Sequence, residues 1–331
     1  MNKRKNIAIK RFLKGFKKRF RSDLFSEDAG HELYLSIKNN ERFRDIKHYC
    51  YRLHRQFIDF CPDKAFPKKF AQSPVSHWWE MRLFDLFKIN NFVLRKTKAT
   101  GPDICFSHGK QIVWCEAIAP NVTALASPVV IDSPNDVPEF FHDVTYGEEE
   151  SLIMKVTSAF KEKSEKMKKY IEQTIIPDNE PTIIAINVSN VRDADIMEDY
   201  NVPIVAQSLF GIDKQTISIP VFDGEGNRII DGERKVTYPE RRAVKKKADV
   251  LIPTTAFLGP ENEHISAVIY SSKRLLDTPR DSKGLIVLIN PFAKNRLDPD
   301  IFRFALVYYA RGNILSLNKN AKKRAKKFNG F

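Results

Sequence analysis

Apolar and polar positions alternate along the chain with two different periods, which separate helical from strand segments. Residues 31–61 repeat aromatic positions (Tyr49, Tyr51, Phe57, Phe60) over Pro-free stretches and predict helices, and Pro62 and Pro67 then break the chain. Residues 73–89, SPVSHWWEMRLFDLFKI, predict a further helix. Trp78, Met81, Leu83, Phe84 and Phe87 build its wide apolar face, Ser73 or Ser76 caps it, and Pro74 sits in its first turn. Asn90-Asn91 ends it, and Phe92 to Arg95 reads as a short strand. Ile104–Phe106 and Gln111–Ala119 are strands around Ser107-His108-Gly109-Lys110, whose turn chemistry signals a hairpin.

A long helix follows over about Glu149 to Thr174, with an apolar stripe at Ile153, Val156, Phe160, Met167 and Ile171. The missing member of that stripe is position 163, a lysine. Thr182–Val188, His264–Ser271 and Gly284–Ile289 read as strands, and Phe302–Arg311 as a closing helix. Residues 189–262 are less regular, with a turn at Asp223-Gly224-Glu225-Gly226. Helix, strand, hairpin, helix and strand in this order predict an α/β fold with a mixed sheet.

The hairpin brings acids together. A four-residue turn pairs Phe106 with Gln111 and sets Asp103 opposite Trp114, so Asp103, Trp114 and Glu116 share one face. A slip of one residue would separate the two carboxylates. Glu116 also interrupts the apolar strand Ile112 to Ile118.

Charge changes the picture next. The chain of 331 residues has 55 Lys+Arg against 41 Asp+Glu. Residues 1–22 carry ten Lys/Arg and residues 313–331 carry six, with no acid in either stretch. The body between them therefore holds 39 basic and 41 acidic residues. Basic ends of this kind attract polyanions, nucleic acid first and anionic membrane second. Lys17, Lys18 and Arg19 are candidate phosphate contacts, as are Arg52, His54 and Arg55 in the helical region. The acids Asp132, Asp136, Asp143 and Glu148 to Glu150 make the loop before the long helix acidic.

Several chemistries are excluded by missing motifs. There is no phosphate-binding Gly-x4-Gly-Lys-Ser/Thr loop, no Gly-x-Gly-x-x-Gly, no His-Glu-x-x-His and no EF-hand loop. A nucleophile elbow is missing too. The four cysteines match no zinc spacing, and Cys105 and Cys115 read as core residues. No apolar run approaches the roughly 20 residues of a membrane span, so a soluble protein is expected; the first stretch lacks the long apolar segment of a secretory signal, so a cytoplasmic location is expected. His264 reads as a satisfied structural histidine, and Asn290 as a turn former. What remains is a carboxylate set, Glu80, Asp103 and Glu116. Such an oxygen-rich site suits Mg²⁺ or Mn²⁺, which also bind phosphate oxygens.

Together with Pro102-Asp103, Glu116 and the leading Glu80, the stretch from about 74 to 190 resembles the PD-(D/E)xK, or restriction-endonuclease-like, nucleases. The wider pattern is similar to an uncharacterised bacterial group. Its shared features are Trp79-Glu80, Gly101-Pro102-Asp103, the strand end Glu116 to Pro120, and Asn290 to Ala293. The resemblance implies a restriction-endonuclease-like core with a mixed β-sheet flanked by helices and a helical N-terminal extension. It implies that Asp103 and Glu116 bind Mg²⁺ or Mn²⁺ and that Glu80 supports them. The family's lysine belongs at position 118, which is Ile118 here. Some members supply that lysine from a neighbouring helix; Lys163 is the first substitute, Lys155 the second and Lys110 the third.

The expected organisation is a basic tail (1–22), a helical region (23–72), a nuclease-like core (73–190), a C-terminal extension with added strands (191–312) and a second basic tail (313–331). The expected partner is nucleic acid, DNA ahead of RNA, with a homodimer as one arrangement. Two other functions stay open: a catalytically degenerate protein that binds nucleic acid, and a membrane- or partner-targeted interaction protein.

Overall fold

A computed structural model describes residues 23–98, 100–120, 146–191, 194, 202–213, 216–218, 221–222, 228–230, 235–245, 251–278, 283–311 and 314–318. Lys17, Lys18 and Arg19, the basic stretches 1–22 and 319–331, the acids Asp132, Asp136 and Asp143, and the turn at 223–226 lie outside the described residues.

Among the described residues four helices come first: α1 (Glu32–Asn39), α2 (Arg44–Phe57), α3 (Phe66–Gln72) and α4 (Pro74–Ile89). Pro67 does not break the chain but occupies the first turn of α3, where its missing N–H is no loss. Strands β1 (Val93–Arg95), β2 (Ile104–His108) and β3 (Gln111–Ile118) follow. Then come α5 (Tyr146–Glu172), β4 (Thr182–Asn187) and the buried helix α6 (Ile204–Phe210). Six short strands pair off as three ribbons. They are β5 (Thr216–Ser218) with β8 (Lys235–Thr237), β6 (Val221–Phe222) with β7 (Arg228–Ile230), and β9 (Ala243–Lys245) with β10 (Leu251–Pro253). The chain closes with β11 (Ala267–Ser271), β12 (Leu285–Ile289), β13 (Leu306–Arg311) and β14 (Ile314–Leu317).

Eight strands form one mixed sheet in the order β1-β2-β3-β4-β11-β12-β13-β14. The pairs β3–β4, β4–β11 and β12–β13 are parallel, and the others are antiparallel. The molecule is thus α/β, with a large mixed sheet flanked by helices. No helix among the described residues is long and apolar enough to cross a membrane.

Strand residues alternate between two apolar layers. Val113, Cys115, Ala117, Ile183, Ala185 and Val287 face the layer of α1–α4, which is rich in aromatics. Trp114, Ile118, Ile184, Ile186 and Leu288 face α5 and α6. Trp78 and Trp79 are fully buried in the first layer, and the Trp79 indole N–H donates to the Ala185 carbonyl at 3.0 Å. That bond fastens α4 across the central strands. Helix α4 ends where Asn90 Nδ2 donates to the Leu86 carbonyl and Asn91 turns left-handed at φ 65°. Ser73 precedes α4 but makes no side-chain cap bond; Ser76 instead lies 3.4 Å from the Ala119 carbonyl, at the end of β3.

Two expectations are corrected. Residues 302–311 are not a helix: a 3-10 turn, Pro299–Phe302, leads into β13. The run Leu306-Val307-Tyr308-Tyr309 is β-branched and aromatic, and Val307 and Tyr308 point into opposite layers, as strand residues must. Strand β14 occupies the start of the stretch assigned to the second basic tail. The hairpin is also tighter than expected. His108 pairs with Gln111 across two residues, with Gly109 at φ 58°, a left-handed conformation that suits glycine.

Candidate active site

The tighter turn moves the register by two residues, which preserves every face. Ile104 pairs with Cys115, so the next position of the ladder sets Asp103 against Glu116. Both therefore point to the α5 side, as Trp114 does. The pairing brings the two carboxylates closer than the wider turn would have done. Asp103 Oδ2 accepts the backbone N–H of Ala117 at 2.8 Å.

Glu116 is completely buried in the middle of β3, next to Ile184 of β4. A buried carboxylate needs counter-charge, and α5 provides it twice. Lys163 Nζ donates to Glu116 Oε1 at 3.1 Å, and Lys166 Nζ donates to the same oxygen. Glu116 Oε2 is buried with no hydrogen-bond partner. One oxygen thus takes two ammonium groups and the other takes none.

Lys163 occupies the gap in the apolar stripe, between fully or nearly buried Phe160 and Met167. Its side chain is 13 % exposed, against 42 % for Lys166. Lys166 lies three positions further along the helix, nearer its rim, with Nζ 5.5 Å from the Tyr170 ring centre. Tyr170 in turn donates its hydroxyl to the Gly101 carbonyl at 3.2 Å. Lys166 and Tyr170 so connect α5 to the Gly101-Pro102-Asp103 turn. Sequence reasoning missed Lys166 because it lies off the apolar stripe. The available signal was its spacing of three from Lys163, which places both on one side of a helix.

Glu80 arrives from α4, on the other layer. Its Oε1 lies 2.8 Å from His77 Nδ1, one turn earlier on the helix. Its charge still reaches Asp103. Burial first, then the charges of Glu116 and Glu80, push the Asp103 carboxyl well above the ordinary carboxylate range; the Ala117 N–H and Lys166 oppose this without prevailing. For Lys166 burial acts downward, but Glu116 and then Asp103 overturn it and hold the ammonium above the usual lysine value.

The other candidates are placed apart from this group. Lys110 is in the hairpin turn, at the far end of β2 and β3 from Asp103. Lys155 is half-buried on α5, eight residues before Lys163 and so about 12 Å along the helix at 1.5 Å per residue. Arg52 pairs with Asp85 and lies over the Tyr49 ring, and Arg55 is exposed on the same helix. His54 does not face outward: it is buried and stacked on Phe66. Ile118 is half-buried and packs in the α5 layer beyond Glu116. Cys105 and Cys115 are buried free thiols, and burial pushes Cys105 up to about 12. His264 and Ser164 lie within hydrogen-bonding distance, and Ser164 donates to Asn262 Oδ1. Asn290 closes its own turn through the Phe292 N–H.

The donor set tests its own fit to a metal. Asp103 and Glu116 are adjacent hard oxygen donors, and Glu116 Oε2 is unpartnered. Glu80 is engaged by His77. Among the described residues no three of His, Cys, Asp and Glu are grouped so as to hold a metal ion. The fit is that of a two-carboxylate site, which is what Mg²⁺-type ions use when substrate phosphates and water complete the shell. Comparison with known proteins found no matching family model, no matching curated protein and no matching solved structure.

Proposed function

We propose that the chain is a metal-dependent phosphodiesterase acting on nucleic acid, built on a restriction-endonuclease-like core. The observation that carries this reading is the juxtaposition of Asp103 and Glu116 under two helix lysines, with one buried Glu116 oxygen left unpartnered. A bare hydrophobic core has no use for such a group, whose burial costs stability.

Asp103 and Glu116 would hold Mg²⁺ or Mn²⁺, with Glu80 available once it leaves His77. When bound, the ion polarises a phosphoryl oxygen and makes its water more acidic. The protein's own part is positional. Strand pairing fixes the two carboxylates, the Ala117 N–H orients Asp103, and Lys163 keeps positive charge beside Glu116 where Ile118 offers none. Exposed Lys161, Lys168 and Lys169 on α5 add sequence-independent attraction for a phosphate backbone, which weakens with salt.

The test is calorimetric titration of Mn²⁺ into the protein and into Glu116→Gln, with cleavage of DNA and RNA followed in parallel. Binding and cleavage that both vanish in the variant are expected. Metal-dependent cleavage that survives it would overturn the site.

A second reading is favoured by a specific observation: both lysines sit on one carboxylate oxygen, and position 118 is apolar. On that reading the core binds nucleic acid without cutting it. Salt-sensitive binding with no heat from Mn²⁺ is its signature.

A further inference from the structure

The two lysines on Glu116 differ in one respect that separates their roles. Both donate to Oε1. Lys163 is walled in by the apolar stripe of α5 and has Glu162 Oε1 at 3.6 Å as a second neighbour. Lys166 is three times as exposed and has the Tyr170 ring at hand as another place for its charge. A long lysine at a rim can swing outward at little cost, whereas one inside an apolar layer cannot.

A divalent cation on Glu116 changes the charge balance around that buried carboxylate. Two ammonium groups already neutralise Glu116 and part of the field of Asp103 and Glu80. Adding two positive charges without removing one of the lysines would concentrate like charge in a site of low dielectric. The lysine that can leave is Lys166.

We propose that Lys166 is a built-in place-holder, an ammonium that occupies Glu116 until a divalent cation displaces it and that then turns, beside Tyr170, to meet the substrate phosphate. This rests on the metal-dependent reading above and adds to it a coupling. Loading the ion releases the group that greets the substrate, so phosphate contact is strongest where metal is present. Lys163 stays in place throughout and is the fixed counter-charge.

The test reads the lysines themselves. The full-length protein is treated briefly with an amine-acylating reagent with and without Mn²⁺, and modification of each lysine is followed by mass spectrometry. Lys166 is expected to be protected without metal and several-fold more reactive with it, while Lys163 stays protected in both. In Glu116→Gln, Lys166 is expected to be reactive whether or not Mn²⁺ is added. Calorimetry supplies the second arm: K166M removes the competing ammonium and is expected to bind Mn²⁺ about tenfold more tightly, a change of about 1.4 kcal/mol. Glu116-dependent Mn²⁺ binding with no change at Lys166, or a K166M variant that binds more weakly, overturns the place-holder and leaves the metal site standing. No Mn²⁺ binding at all overturns both.

Discussion

Asp85 and Glu116 are both buried carboxylates, one on each side of the sheet, and they are treated in opposite ways. Asp85, on α4, is clasped on both oxygens: Arg52 reaches each of them, and buried Arg82 donates to Oδ2 at 3.3 Å. Planar guanidinium groups match a carboxylate fork and hold it still. Glu116 receives two lysines on one oxygen and nothing on the other. Lysine is a point charge on a flexible stem, so its grip is one that can be released. The difference teaches that burial of an acid alone does not mark a site. An acid closed on all sides is a fastening, and the acid with one oxygen left unpartnered, held in part by a lysine at the helix rim, is the candidate site.

The comparison breaks first where the fastening is cut. Asp85→Ala removes the carboxylate to which both Arg52 and buried Arg82 donate and is expected to cost about 3–5 kcal/mol in urea unfolding, the penalty of breaking a buried ion pair. A cost below about 1 kcal/mol would mean that Asp85 is no anchor. The open acid is expected to behave in the reverse sense. Mn²⁺ at a hundredfold excess over its dissociation constant should stabilise the wild type by about 2.7 kcal/mol, and Glu116→Gln should show none of this. Equal stabilisation of both proteins would place the ion elsewhere.

The closed side carries a smaller, pH-dependent signature. Burial lowers the His54 pKa from 6.5 to about 4, so folding favours its neutral ring. Its contribution is full above the unfolded value and is lost as pH falls toward the folded one. At pH 5.5 the loss is roughly 1 kcal/mol, and His54→Phe should flatten that slope in thermal melts. Asp103 on the open side shifts the other way. Its folded pKa is raised, so its contribution is present at low pH and is lost as pH rises through that folded value. Asp103→Asn should therefore gain stability over the wild type with rising pH. Mn²⁺ titrations in two buffers of unequal ionisation enthalpy should differ for the wild type, because the raised Asp103 pKa couples cation binding to proton release. Identical heats would show that Asp103 is already ionised.

Much of this was legible in the sequence because single residues broke strong local patterns. Glu116 interrupts an apolar strand and Lys163 interrupts an apolar helical stripe, and the structure pairs the two interruptions. The shared face of Asp103 and Glu116 survived a misjudged turn because the strand period is two, so an error of two residues changes neighbours but not sides. Lys166 was not legible by the same means, since a lysine at a helix rim breaks no pattern. Helix α6 was missed because its seven residues are all buried and show no polar face. Strand β13 was misread because a short apolar run without punctuation fits either period. Arg52 was read for its charge, but its pairing with Asp85, 33 residues away, is a long-range fact that no local window contains.

The chain has three tryptophans. Trp78 and Trp79 are sealed in the aromatic layer, so their emission has no solvent to respond to. Trp114 is half-buried on the same strand and the same face as Glu116, two residues or about 7 Å away, with its indole N–H on Glu180. It alone of the three is half-buried and shares a strand face with Glu116. The protein thus carries its own optical reporter: a change in tryptophan fluorescence when an ion or an oligonucleotide is added is a signal from β3. Trp114→Phe would silence that signal and leave the steady background of the other two.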